Sequence, residues 1–172
     1  LYVKADDGTA ESPVQELTVT VTGENDTAPV SIVPTTSRTI ADTATVALFA
    51  DATFMDADGD LLKVSIAISD PSKGTLANLG IGVFDAATGI YTVKGTAEEV
   101  TNAVRGLTFD PTDRPNAAVG AVETTTFNVT VEDGVHATSA TVTVDSVAAN
   151  RELLLFAFNL GVLRWSWRVA YY

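Results

Sequence analysis

Asp56-Ala57-Asp58-Gly59-Asp60 places three carboxylates on five consecutive residues. Such a run is penalised by mutual repulsion unless a cation joins it. Ca2+ suits the set, because this hard cation takes about six to eight oxygens from carboxylates, Asn side chains and turn carbonyls. The same donor types recur elsewhere. Glu24-Asn25-Asp26 follows Thr22-Gly23, and Asp6-Asp7-Gly8 and Glu132-Asp133-Gly134 each close an aromatic-led run. An EF-hand loop starting at Asp56 is excluded. Its pattern needs Gly at about the sixth and Glu at about the twelfth position, whereas the fourth is Gly59 and the twelfth is Ala67. A second account of the same residues stands beside the metal: Asp58-Gly59 also suits a tight turn, and Asn25-Asp26 an Asx turn.

Other chemistries find little material. The 172 residues contain no cysteine, which excludes disulfides, thiolate metal sites and a cysteine nucleophile. The single histidine, His136, excludes a multi-histidine zinc site within the chain and reads as a solvated turn residue. Asp113 beside Arg114 reads as a surface charge pair. Acidic pairs occur, but none has a spacing that marks a general acid and base, so no enzyme is expected. With 22 acidic against 10 basic side chains, the formal net charge is −12. A surface of that sign repels nucleic acid and anionic lipid and favours divalent cations.

The elements that must hold these loops read as strands. Leu17–Thr22, Phe127–Val131 and Ala140–Val144 alternate apolar and polar residues with period two, the signature of half-buried β-strands. Val30–Val33, Thr45–Phe49, Leu62–Ile68, Ile90–Val93 and Leu107–Phe109 are further strand candidates, separated by Gly, Pro and Asp turn signals. Thr96-Ala97-Glu98-Glu99 has the form of a capping box, and Val100, Ala103 and Val104 lie on one helical face, which predicts a short helix over 97–105. The chain also repeats itself. Asp7 and Asp133 lie 126 positions apart (133 − 7), and Val19 and Val142 lie 123 apart (142 − 19), within similar hairpin patterns. Residues 1–22 are therefore expected to be the C-terminal hairpin of a preceding repeat, poorly anchored on its own. With Leu1 rather than methionine at the start, the chain is expected to be an internal piece of a longer protein.

Val19-Thr20-Val21-Thr22-Gly23-Glu24-Asn25-Asp26-Thr27-Ala28-Pro29 resembles the inter-repeat junction of bacterial cadherin-like tandem repeats (the VCBS and RTX-adhesin type), which typically reads V-T-V-T-G-x-N-D-x-P. Phe54–Leu61 resembles their F-x-D-x-D-G-D-x-L stretch, and Phe127–Gly134 their late strand ending in D-G. The resemblance covers about residues 1–147. It implies an all-β, Greek-key antiparallel β-sandwich of the cadherin or immunoglobulin type, with the short helix as an addition. It divides the chain into the hairpin 1–22, a linker 23–29, a complete repeat 30–147 and an atypical tail 148–172. It further implies Ca2+ at the junction. Asp7, and with it Asp6, would come from the preceding repeat, Asn25, Asp26 and the neighbouring Glu24 from the linker, and Asp56, Asp58 and Asp60 from the following repeat. Glu132 and Asp133 would serve the next junction. The sequence after Val144, Asp145-Ser146-Val147-Ala148-Ala149-Asn150, departs from the pattern and lacks Asn-Asp-Pro.

The function so implied is a non-enzymatic calcium-binding structural and adhesive repeat, stiffening a long extracellular or bacterial cell-surface protein. Its partners would be neighbouring repeats of the same chain, with surface glycans or proteins engaged through other domains, and neither nucleic acid nor membrane insertion is expected of the core domain. The alternative is a carbohydrate- or ligand-binding sandwich attached to an extracellular enzyme. That needs exposed aromatics on one sheet face, whereas Phe49, Phe54, Phe84, Tyr91, Phe109 and Phe127 all fit core spacing. The tail belongs to neither pattern. Both tryptophans, Trp165 and Trp167, lie there, and its apolar run Leu153–Leu163 is too short to span a bilayer. An artefactual end, an amphipathic surface segment and the start of another element all remain readings of it.

Overall fold

The computed structural model describes residues 2–20, 23–34 and 36–149. Strands β1 (Tyr2–Val3) and β2 (Gln15–Glu16) form a short antiparallel hairpin with Tyr2 opposite Glu16. Every described residue from 2 to 20 is exposed, as a hairpin without a second layer must be. The strand expected over Leu17–Thr22 is not formed across residues 17–20, while Val21 and Thr22 lie outside the described residues. Thr/Val alternation suits a pleated, half-buried surface, and the β1–β2 pairing offers residues 17–20 no such surface.

The rest of the chain is rich in strand, with one helix. In order come β3 (Val30–Ile32), β4 (Arg38–Ala41), β5 (Thr53–Met55), β6 (Leu62–Ile68), β7 (Gly74–Ala77), β8 (Val83–Asp85), β9 (Ile90–Gly95), α1 (Ala97–Gly106), β10 (Thr108–Pro111), β11 (Val122–Glu132) and β12 (Ala137–Val147). Six of them make one sheet in the order β4-β12-β11-β6-β9-β8; β3 pairs with β5 and β7 with β10. The expected all-antiparallel arrangement gives way to a mixed sheet, because β4 runs parallel to β12, with Arg38 opposite Val144. No hairpin forces β4 into antiparallel pairing, since 106 positions (144 − 38) separate the partners. In this place β4 covers the edge that β12 would otherwise expose.

Period two decides the inner face. Phe127, Val129 and Val131 of β11, Val64 and Ile66 of β6, Tyr91 and Val93 of β9, and Val142 and Val144 of β12 are all buried, while the residues between them are half-buried or exposed. Phe127 is the hub of the aromatic packing, edge-on to Phe109 at 4.9 Å and to Phe49 at 5.9 Å between ring centroids. Phe49 reaches the core from a turn, not from the strand expected over Thr45–Phe49. That segment contributes a single bridge, Val46 to Phe109, with N–H···O distances of 2.9 and 2.8 Å. The helix forms where its capping box predicts. The Thr96 hydroxyl accepts the Glu99 N–H at 3.3 Å, and the Glu99 carboxylate accepts the Thr96 N–H at 2.9 Å. Val100 and Val104 are fully buried against the sheet.

The described residues past 147 bond back onto the sheet and its loops. Ala148 N–H bonds to Ala121 C=O, and Ala149 N–H bonds to the buried carboxylate of Asp42, each at 2.9 Å. Residues 150–172, and with them most of the atypical tail, lie outside the described residues.

Candidate metal centre

Helix α1 holds the strand that leads into the three-aspartate loop. The Thr101 hydroxyl accepts the Phe54 N–H at 3.1 Å and returns a bond to the Phe54 carbonyl at 3.4 Å. Arg105 donates to the Ala52 carbonyl at 2.6 Å and to the Thr53 hydroxyl at 2.8 Å. β5 is thereby fixed one residue before Asp56. Its partner β3 places Val30 opposite Met55, so the end of the linker and the start of the loop are neighbours by register. β6 then carries the chain out of the loop into the centre of the large sheet.

Within the loop, Asp56, Asp58 and Asp60 each present a carboxylate oxygen within 4.8 Å of the others. Among the described residues this is the one group of three or more His, Asp or Glu side chains so arranged, and it can hold a metal ion. Asp56 organises the loop, its Oδ1 accepting the N–H groups of Asp58 at 3.0 Å and Asp60 at 3.1 Å. Gly59 supplies the turn with φ = +79°, a left-handed conformation that costs a residue with a Cβ about 1–2 kcal/mol. Asp58 reaches the linker, its Oδ2 accepting from the N–H of Thr27 at 2.9 Å and of Asp26 at 3.2 Å. Asp56 Oδ2 is buried and has no hydrogen-bond donor. A buried carboxylate oxygen without a donor is costly, and a cation ligand is one way to relieve the cost. The residues present therefore fit a hard cation.

The linker also meets the turn between β11 and β12. Asn25 Nδ2 donates to the Asp133 carbonyl oxygen at 3.2 Å. The Asp133 side chain is fully buried, with Oδ1 accepting from Val135 N–H at 2.7 Å and His136 N–H at 2.6 Å. Burial pushes its carboxyl pKa up. The N–H groups of His136 and Val135, the Asn25 amide and the nearby His136 ring outweigh that, and the value falls below the ordinary range. Asp133 Oδ2 and His136 Nδ1 lie 3.5 Å apart, an ion pair when the ring is protonated.

The expected ligands therefore divide. Asp56, Asp58 and Asp60 come together, and Asp26 joins them through its N–H on Asp58, whereas Asn25 bonds the Asp133 carbonyl. Asp133, expected at a following junction, has its carbonyl bonded by Asn25 of the linker segment 23–29. In this fold the turn before the last strand returns to the end at which the chain enters. Glu132 forms an exposed pair with Lys63 at 3.1 Å. Glu24 is exposed. Asp6 and Asp7 are not part of the cluster. Asp6 caps Gly8 N–H, and Asp7 accepts from Ala10 and Thr9, N–H bonds that hold its carboxyl below the usual range.

Three contributors escaped the sequence reading. Thr27 enters through its backbone, which no side-chain motif marks. Thr101 acts from a helix 41 positions (101 − 60) after the loop. His136, read as solvated, has its Nδ1 buried. Arg114 donates to the Ser146 carbonyl at 2.7 Å and the Ala121 carbonyl at 3.1 Å, bonds of which the sequence carries no sign.

No protein-family model matches the sequence, and no curated protein matches it.

Proposed function

We propose that residues 23–149 are a calcium-binding, cadherin-like repeat, a non-enzymatic structural and adhesive module of a long extracellular or bacterial surface protein. The observation that carries this reading is the Asp56-Asp58-Asp60 cluster, bonded to the linker through Asp58 and holding the donorless Asp56 Oδ2. Ca2+ is the cation of choice for an all-oxygen set on a loop, since Mg2+ demands near-octahedral geometry and gives up its water reluctantly. In this reading the six-stranded sheet is one layer of a Greek-key sandwich, with the β3–β5 and β7–β10 pairs contributing to the other. One shared core cluster supports it. Against the sugar-binding alternative stands the burial of Phe49, Phe54, Tyr91, Phe109 and Phe127, with Phe84 half-buried. Mechanically, a cation joining linker to repeat removes the linker's freedom, and neighbouring repeats of the same chain then transmit force as a stiff rod.

Thermal unfolding in EGTA, in millimolar Mg2+ and in millimolar Ca2+ tests the reading. Calcium at about one hundred times its dissociation constant adds roughly 2.7 kcal/mol, or about 10 °C in Tm for a domain of this size. That gain is expected to be calcium-specific and absent in Asp56→Asn/Asp58→Asn. Equal melting in all three conditions would leave the aspartates as turn formers and refute the proposal.

A further inference from the structure

An aspartate followed by glycine is open to attack by its own backbone, because glycine sets no Cβ beside the amide nitrogen. The chain has three such pairs, Asp7-Gly8, Asp58-Gly59 and Asp133-Gly134, and no Asn-Gly. Their surroundings differ. Gly8 N–H is engaged by Asp6 Oδ1 at 2.8 Å, and Asp7 Oδ1 is held by the N–H groups of Thr9 at 2.9 Å and Ala10 at 2.8 Å. The Asp133 side chain is fully buried, with Oδ1 held by Val135 N–H at 2.7 Å and His136 N–H at 2.6 Å. In both pairs the carboxylate is tied down by its own turn.

Asp58 is exposed, and its carboxylate is tied elsewhere. It accepts from the linker: Thr27 N–H at 2.9 Å, Asp26 N–H at 3.2 Å and the Thr27 hydroxyl at 3.5 Å, the Thr27 bonds crossing 31 positions of chain. Among the described residues no acceptor takes the Gly59 N–H, whereas the N–H groups of Asp58 and Asp60 on either side both bond Asp56 Oδ1. Nothing lies within 4 Å of the place that a Cβ on Gly59 would occupy. When the linker lifts, the Asp58 carboxyl is released beside an unengaged amide nitrogen. Exposed segments held by a few solvent-facing hydrogen bonds are the ones that open most readily.

We infer that Asp58-Gly59 is a site of spontaneous isoaspartate formation, gated by the linker. The Gly59 nitrogen attacks Asp58 Cγ and gives up its proton, and one carboxyl oxygen leaves as water, closing a succinimide ring. Water then adds to the ring carbonyl that was the Asp58 backbone carbonyl, and its bond to the Gly59 nitrogen breaks. The composition of the product is unchanged. Its main chain runs through Asp58 Cβ and Cγ, and its free carboxylate sits on Cα. That carboxylate is drawn back from the Thr27 and Asp26 N–H groups, so a linker released once stays released. The inference needs no metal and stands apart from the calcium reading.

Incubating the full chain at neutral pH in water enriched in heavy oxygen, followed by peptide mapping and enzymatic methylation of isoaspartate, tests it. Each passage through the succinimide fixes one solvent oxygen. Label and isoaspartate are expected to accumulate at Asp58 ahead of Asp7 and Asp133. Both are expected to vanish from that peptide in Asp58→Glu, whose longer side chain must close a larger, slower ring. Thr27→Pro removes the shorter linker donor and is expected to speed labelling roughly fivefold, the extra opening that loss of one hydrogen bond allows. Circular dichroism checks that both variants fold, and the comparison of the three pairs in wild type depends on neither. An unlabelled Asp58, or label at Asp7 or Asp133 appearing as fast as at Asp58, would overturn the site. Equal rates in wild type and Thr27→Pro would overturn the gating.

Discussion

Single acidic side chains in this fold act mostly by satisfying backbone N–H groups. Asp56, Asp70, Asp85, Asp133 and Glu99 each accept from a nearby backbone donor, and so define the loop, a 3₁₀ turn, a hairpin turn, the β11–β12 turn and the helix start. Glu99 has a consequence for pH. The Thr96 N–H, with the Thr96 hydroxyl, holds its carboxyl below the ordinary value of 4.5. A group with a depressed folded-state pKa contributes stability that is complete above the unfolded value and is lost as pH falls through the folded one. The stability advantage of wild type over Glu99→Gln is therefore expected to shrink below about pH 4.5, since glutamine keeps the capping bond without the charge. Urea unfolding at stepped pH values from neutral to acid checks this. A constant difference at every pH would mean that the carboxylate charge does nothing for the cap.

At the scale of elements, helix α1 and strand β5 are one device. Thr101 satisfies both the N–H and the carbonyl of buried Phe54, and β5 delivers Asp56 from that fixed point. Thr101→Val keeps the shape and strands the Phe54 N–H. It is expected to destabilise the fold by about 1–3 kcal/mol in urea titrations in EGTA. A loss below about 0.5 kcal/mol would be within the range of ordinary surface changes and would separate the helix from the positioning of the loop. The helix was legible residue by residue, because a capping box and an i, i+3, i+4 face are local patterns. Its bond to Phe54 was not, because nothing in the spacing of Thr101 and Phe54 indicates contact.

At the scale of the molecule, the described residues fall into an exposed hairpin and a strand-rich unit with a shared core. Every described residue from 2 to 20 is exposed, so deleting residues 1–22 is expected to move Tm by less than about 2 °C, with calcium or with EGTA. Differential scanning calorimetry of the two lengths decides it. A larger fall on deletion would mean that the hairpin supports the cored unit.

The sequence by itself determined what depends on neighbours along the chain. The alternation of β6, β9, β11 and β12, the capped helix and the loop carrying Asp56, Asp58 and Asp60 follow from side-chain period and turn chemistry. The same alternation misled over 17–20, where no partner strand among the described residues buries one face. Tertiary structure decided what depends on partners. The parallel placement of β4 on β12, the entry of Phe49 from a turn and the meeting of Asp133 with Asn25 are set by strand register and closure of the core. A carboxylate written at position 133 carries no local sign of the end at which it will lie; the antiparallel return of β11 beside β6 puts it next to the linker.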